Sequence, residues 1–214
     1  MIFPRLTLED ACAALSDGRA IIYPTETFFA LGCDALNPDA VGRIFTVKRR
    51  ALDLPLPVII SRREDLERLT AYIPEAAQKL MDAFWPGPLS VVLPARAEVP
   101  DLLTAGVGRL AVRFSPHPAP AALREACGLI LSASSANLSG EESVVSPEAL
   151  SPELAVGVAG VFAVGPAPAG GLPSTVLDVV DTPEGPLVRV LRRGAVGVED
   201  IRRVGLAVLE KAES

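Results

Sequence analysis

"RLAVRFSPHPAPAALREACGLILSASSANLSG", residues 109–140, carries an apolar alternation, a proline-punctuated turn, a helical pattern closed by Gly128, and a second apolar run that dissolves into serines and an asparagine. In "RLAVRF" the side chains alternate, so Leu110, Val112 and Phe114 share one face of a strand and Arg109, Ala111 and Arg113 the other. "SPHPAPAAL" opens a helix with His117 placed to cap or pack at its start, and "LILSAS" is again strand. Strand, helix and strand in so short a span set the fold class as α/β.

The same reading extends both ways along the chain. Upstream, "LTLEDACAALSDG" is a helix with Thr7 as N-cap and Gly18 beyond its end. "AIIYP" is a buried strand, "PDAVGRIFTVKRR" a helix with Val41, Ile44 and Phe45 on one face, and "LPVIIS" a strand. Ser61 and Glu64 then read as a capping box, and "PEAAQKLMDAF" as a helix. "LSVVL", "GVFAV", "STVLDVV" and "LVRVL" are strands, and "VEDIRRVGLAVLEKA" predicts a closing helix over 198–212. Because the late strands cluster, the expected architecture is one domain over 1–214, with a large twisted mixed β-sheet and flanking helices.

Composition narrows the function classes. The chain has 214 residues, half of them hydrophobic, and a formal net charge of −6, which argues against a general nucleic-acid glue. Cys12, Cys33 and Cys127 are widely spaced and form no C-x-x-C, so neither a disulfide framework nor a zinc site is indicated. Acids interrupt the amino-terminal segment where a signal peptide needs an apolar run, which predicts a cytoplasmic protein. The uncharged run from Leu154 to Leu177 is broken by "GPAPAGGLPS", so a strand and a loop are expected there rather than a membrane span.

Several familiar catalytic devices are absent. No G-x-x-x-x-G-K-[ST] occurs, and "GVGRLA", residues 106–111, leads into a strand, whereas a dinucleotide fingerprint follows a strand and opens a helix. His117 is the only histidine, so a histidine metal cluster is excluded and a Ser-His-Asp triad would rest on that one residue. The serines of "ASSAN" lack the long glycine-rich run of an amidase.

What remains is a set of cations and hydroxyls in expensive places. Lys48 lies seven residues after Val41 and four after Ile44, on the same apolar face, where an ammonium must snorkel out or meet an anion. With Arg49 and Arg50 it also complements a helix C-terminus. Arg113 needs an anionic partner if both faces of its strand are covered, and is a solvated residue if they are not. Ser174 begins a strand after a glycine-rich loop, and Arg192 ends another.

Taken in order, "YPTETFFALGCDA", "KRRALDLPL", "FWPGPLSVVL", "LAVRFSPHP", "SASSANLSG", "PSTVLD" and "VLRRG" resemble the YrdC-like family of threonylcarbamoyl-AMP synthases, from about residue 20 to 195. The resemblance implies a YrdC/RibB-like α/β fold with a concave, positively charged cavity. It implies synthesis of threonylcarbamoyl-adenylate and pyrophosphate from L-threonine, bicarbonate and ATP with Mg²⁺, and delivery of the product to a tRNA-modifying transferase, with tRNA contact itself open. Carried over by residue, Thr25 and Arg113 would hold threonine; Lys48, Arg50, Ser135, Asn137, Ser174 and Arg192 would hold the nucleotide, with Lys48 and Arg50 acting in catalysis and no protein metal ligand. Some family members carry a further carboxy-terminal domain, which this chain is expected to lack. The chain departs from the family pattern at Phe29-Ala30, where Tyr-Gly is usual, and at Leu54, Ser134 and Ser115-Pro116. A relative acting on another carbamoyl compound, and a non-catalytic RNA-binding module, are the alternative readings.

Overall fold

The computed structural model describes residues 3–209. Thr7 caps α1 (Leu8–Ser16) reciprocally: its hydroxyl accepts from the Asp10 N–H while the Asp10 carboxylate accepts from the Thr7 N–H. β1 (Ala20–Pro24) turns back into β2 (Phe29–Gly32). Asn37 caps α2 (Pro38–Lys48), accepting from the N–H groups of Asp39 and Ala40. There follow β3 (Val58–Ile60), α3 (Leu66–Leu69), α4 (Glu75–Phe84), β4 (Leu89–Pro94), α5 (Asp101–Thr104), β5 (Arg109–Phe114) and α6 (Pro118–Cys127). His117 does cap α6, its Nδ1 accepting from the Ala119 N–H at 3.1 Å. The remainder is β6 (Leu131–Ser132), β7 (Ser134–Ser135), β8 (Val158–Val161), β9 (Thr175–Thr182), β10 (Gly185–Arg192), α7 (Val198–Arg203) and β11 (Ala207–Leu209).

The mixed sheet expected as one is two. β7-β2-β1-β8 form a four-stranded sheet and β11-β10-β9-β4-β5-β3-β6 a seven-stranded one, each with parallel and antiparallel pairs. Residues 131–135 account for the division. Leu131 and Ser132 pair with β3, and two residues later Ser134 and Ser135 pair with β2, so the serine-rich run passes from one sheet to the other. Two hydrophobic clusters join the sheets: one holds Ile22 and Leu31 from the small sheet and Val58, Val91, Val112 and Leu177 from the large one, the other Ile21, Tyr23 and Ala30 with Ile59 and Leu131.

The large sheet has two unlike faces. Val58, Val91, Val112 and Leu177 are fully buried on the core side. Register places Ile59, Arg113, Ser90 and Val176 in one row of the other face, and Ala111, Val92, Asp178 and Arg189 in the next. Polar residues thus alternate with core residues along these strands, and Ser90, Arg113 and Asp178 are buried on the second face, which creates the site.

Two local expectations fail for tertiary reasons. No side chain caps the 3-10 turn Arg63–Asp65; Asp65 is instead buried against α6, accepting from Arg124 Nε at 2.8 Å. The closing helix ends at Arg203: Gly205 takes a left-handed φ of +84°, and Ala207–Leu209 pair with the edge of β10. The expected helical residues 210–212 lie outside the described residues. No helix among the described residues is long and apolar enough to cross a membrane.

The sheet crossing leaves no space at Gly32, where a Cβ would stand 2.1 Å from the Ser132 carbonyl oxygen and 2.8 Å from Tyr23 Cε1. Gly32→Ala should therefore destabilise the fold by at least about 1–3 kcal/mol, the usual cost of overpacking. Gly42→Ala, inside α2 with its nearest neighbour Leu102 at 3.7 Å, should stabilise it by about 0.5–1 kcal/mol. Thermal unfolding of the two variants beside the parent chain checks both signs.

Candidate active site

A cavity of about 640 Å³ opens between the small sheet and the non-core face of the large one. Thr25, Thr27, Phe28, Phe29, Ala30, Ser134 and Ser135 form its wall on the small-sheet side. Ser90, Val92, Arg109, Ala111, Arg113, Val176 and Asp178 stand on the opposite wall, and Arg50, Ser174 and Arg192 are among the other residues that line it. Four guanidinium groups thus meet one carboxylate, that of Asp178, which is itself held by Arg109 and by Arg189 Nη2 at 2.8 Å. The wall attracts anions and has no free acid of its own.

Each cation is fixed by its own surroundings. Arg113 is covered on both sides, as the costly reading of its strand requires, and its anionic partner is Glu26: Nη1 lies 2.9 Å from Oε1 and donates to Thr27 Oγ1 at 3.2 Å. Burial lowers the Arg113 pKa from its ordinary value, with Glu26 pulling the other way. Arg192 donates through Nε and Nη2 to the Ser174 carbonyl and through Nη2 to Ser174 Oγ at 2.9 Å, while Ser174 Oγ lies 3.2 Å from Ser90 Oγ. Arg50 donates through Nη2 to the Pro55 carbonyl at 2.9 Å, holding the loop after α2. Burial lowers the pKa of Arg192, with the charge of Arg113 adding to it, and lowers that of Arg50.

Of the expected site residues, Thr25, Arg50, Arg113, Ser135, Ser174 and Arg192 are brought together around the cavity, and Lys48 and Asn137 are not on its wall. Lys48 neither snorkels nor meets an anion. Its ammonium is buried beneath the serine-asparagine turn and donates to the carbonyls of Ser135 and Asn137. Asn137 turns its amide inward, donating to the carbonyls of Leu138 at 2.9 Å and Glu141 at 2.6 Å. These two residues shape the turn that presents Ser135. Thr25 lines the cavity, yet its hydroxyl is engaged in its own turn, donating to the Phe28 carbonyl at 2.7 Å.

Thr27, Ser90, Arg109 and Asp178 were not among the expected site residues. Alternation placed Arg109 beside Arg113 on the polar face of β5, and the same rule applied to "LSVVL" and "STVLDVV" picks out Ser90 and Asp178. Thr27 lies in the "PTET" stretch that carries the family resemblance, though only Thr25 was carried over from it. Of the departures from the family pattern, Ala30 sits in β2 outside the left-handed region, so a glycine is not required there, and Phe29 is buried in the core while lining the cavity.

Burial, with the Arg50 charge nearby and only a partial counter-pull from Glu141, lowers the Lys48 ammonium to about 8 from the usual 10.5. Between those values the unfolded chain binds the proton that the folded chain has released, so this residue's contribution to stability rises as pH increases through the window. Denaturant unfolding below pH 8 and near pH 10 should show the parent chain gaining stability relative to Lys48→Met as pH is raised. A difference that does not change with pH would mean that this ammonium keeps its ordinary pKa.

A family model described as "Telomere recombination", covering Sua5, YciO and YrdC, matches residues 13–194. A threonylcarbamoyl-AMP synthase of Bacillus subtilis (strain 168) is 39% identical over 201 residues, which is 92% of this chain and 56% of the relative. One of Pyrococcus abyssi (strain GE5 / Orsay) is 37% identical over 194 residues, with 91% and 56% covered. The chain therefore spans little more than half the length of these curated relatives. Among solved structures, P. abyssi Sua5 complexed with L-threonine superposes with a TM-score of 0.82 at 34% identity, covering 96% of this chain and 61% of that one. E. coli YciO does so with 0.77 at 26% identity, covering 91% and 92%. On the family match over residues 13–194 and these identities, the chain belongs to the Sua5/YciO/YrdC family.

Proposed function

We propose that the chain is a threonylcarbamoyl-AMP synthase, a nucleotidyltransferase that joins L-threonine, bicarbonate and ATP into threonylcarbamoyl-adenylate and pyrophosphate in the cytoplasm. The observation that carries this reading is the cavity itself. Four arginines and a ledge of serine hydroxyls converge there, and the wall contains no cysteine, histidine or lysine to act as nucleophile or base. Such a surface suits a reaction in which the substrate supplies the nucleophile and the protein supplies orientation and neutralisation of charge. The kinship with named threonylcarbamoyl-AMP synthases, and with a protein crystallised with L-threonine, supports the same substrates.

In this reading bicarbonate loses hydroxide to give CO₂, the neutral threonine amine adds to its carbon, the N–H proton released leaves with that hydroxide as water, and an oxygen of the resulting carbamate attacks the α-phosphorus of ATP. The bond from that phosphorus to the β-phosphate oxygen breaks, and its electron pair leaves with pyrophosphate. Arg50 and Arg192 neutralise the phosphates, Ser135 and Ser174 offer short hydrogen bonds, and Arg113 receives the threonine carboxylate. Lys48 acts from behind, by holding the carbonyls of the turn that carries Ser135. The wall does not form a protein cage for Mg²⁺: Asp178 is its only carboxylate and is already paired with two arginines. The cation would arrive on the nucleotide's own phosphates. The product, a reactive mixed anhydride, would pass to a tRNA-modifying transferase.

Pyrophosphate release should require ATP, bicarbonate and threonine together, and omission of any one should abolish it. Arg50→Ala should raise the KM for ATP by at least about tenfold, the loss of one charge-assisted contact, with little change for threonine. Turnover without an amino acid would overturn the assignment, and an unchanged KM for ATP would remove Arg50 from the phosphate site.

A further inference from the structure

Glu26 is the charged residue of the "PTET" stretch, and it stands behind the cavity wall rather than in it. Its carboxylate is gripped from the corner that follows β5. Oε1 lies 2.9 Å from Arg113 Nη1, and Oε2 accepts from Ser115 Oγ at 2.5 Å. Ser115 Oγ accepts in turn from the His117 N–H at 3.2 Å, and His117 Nε2 lies 2.9 Å from the Pro166 carbonyl oxygen. The backbone on either side is pinned as well: the Ala169 N–H donates to the Glu26 carbonyl and the Gly170 N–H to the Thr27 carbonyl. The carboxylate is hydrogen-bonded at Oε2 and pinned along its main chain, while its buried Oε1 accepts no hydrogen bond and meets Arg113 as an ion pair only, so it is a fixed counter-charge for the guanidinium in front of it.

That guanidinium is held from one corner only. Glu26 and Thr27 both engage Nη1 of Arg113, and the described residues give Nε and Nη2 no acceptor, while Arg113 itself lines the cavity. We infer that Glu26 is the positioning residue for Arg113, anchoring Nη1 from behind so that the Nε and Nη2 edge faces the cavity as a two-pronged receiver for a carboxylate. The inference rests on the reading in which Arg113 takes the carboxylate of the amino-acid substrate. A planar fork makes two parallel hydrogen bonds only when its plane is set, so freedom of rotation forfeits one of them. Simple charge arithmetic predicts the opposite result, because removing a neighbouring anion leaves Arg113 less compensated and more attractive to a carboxylate. The direction of the change therefore separates positioning from neutralisation.

The test uses the full chain in threonine-dependent pyrophosphate release, with Glu26→Gln, Arg113→Gln and the double variant. Glu26→Gln keeps the shape and should raise the KM for threonine about tenfold while leaving that for ATP unchanged. In the Arg113→Gln background the same substitution should add almost nothing, since the residue it positions is gone. If Glu26→Gln does not fold, Ser115→Ala carries the test, because it releases Oε2 and should raise the KM for threonine about threefold, short of the loss of a full charge-assisted bond. An unchanged or lowered KM for threonine in a folded variant, or effects that add in full, would overturn the inference. An Arg113→Gln variant with unaltered threonine dependence would instead overturn the substrate reading beneath it.

Discussion

The main chain at Ser132 has to serve two sheets within a few ångströms. Its N–H donates to the Cys33 carbonyl at 2.9 Å, its Oγ accepts from the Cys33 N–H at 3.0 Å, and its carbonyl accepts from the buried Tyr23 hydroxyl at 2.9 Å. Gly32 has no side chain because the Ser132 carbonyl occupies the place where a Cβ would be. This contact sets how closely the end of β2 approaches the strand that crosses between sheets, and hence the width of the cleft. Short hydroxyl-bearing residues suit the crossing, since they satisfy backbone groups locally while the chain leaves one ladder and enters another.

The second feature that organises the site is the way its cations are employed. Lys48, Arg50 and Arg192 each donate to backbone carbonyls of the segment that bears a neighbouring wall residue. An unpaired buried charge is costly, and carbonyl dipoles reduce that cost without cancelling the charge. The wall is therefore positively charged and geometrically fixed before any ligand arrives, the condition under which electrostatic stabilisation works with little reorganisation. Arg113 differs, because its partner is a full anion, and so does Asp178, whose two oxygens are each paired with an arginine.

The elements that the sequence reveals are those whose signal is local. Alternation in "RLAVRF" marks β5 and separates Arg109 and Arg113 from the core, Thr7 and His117 announce the helices they cap, and Lys48 stands out as a cation on the apolar face of α2. The order of the motifs reveals the family. Other elements carry no such mark. The strand read over "LILSAS" is only β6 and the first residue of β7, and nothing in the letters marks the step between two sheets inside it, while β2 is buried at every position and so shows no alternation. The capping pattern at Ser61 and Glu64 is present in the letters and unused in the fold, because the carboxylate of Asp65 is drawn to Arg124 across the molecule.

By itself, then, the sequence determined which stretches extend or coil, which side chains are awkwardly placed, and which family the chain resembles. All three depend on neighbours within a few residues or on the order of short motifs. Only the tertiary structure decided what the awkward side chains do. Lys48 meets the turn 87 to 89 residues away, Arg113 meets Thr27 at a separation of 86, and Arg109 meets Asp178 at 69. Such pairings arise from the order of strands in two sheets. A periodic pattern records that a cation shares a face with apolar residues or alternates with them, and the topology alone chooses whether it is buried and whether its partner is a phosphate, a carbonyl or a carboxylate.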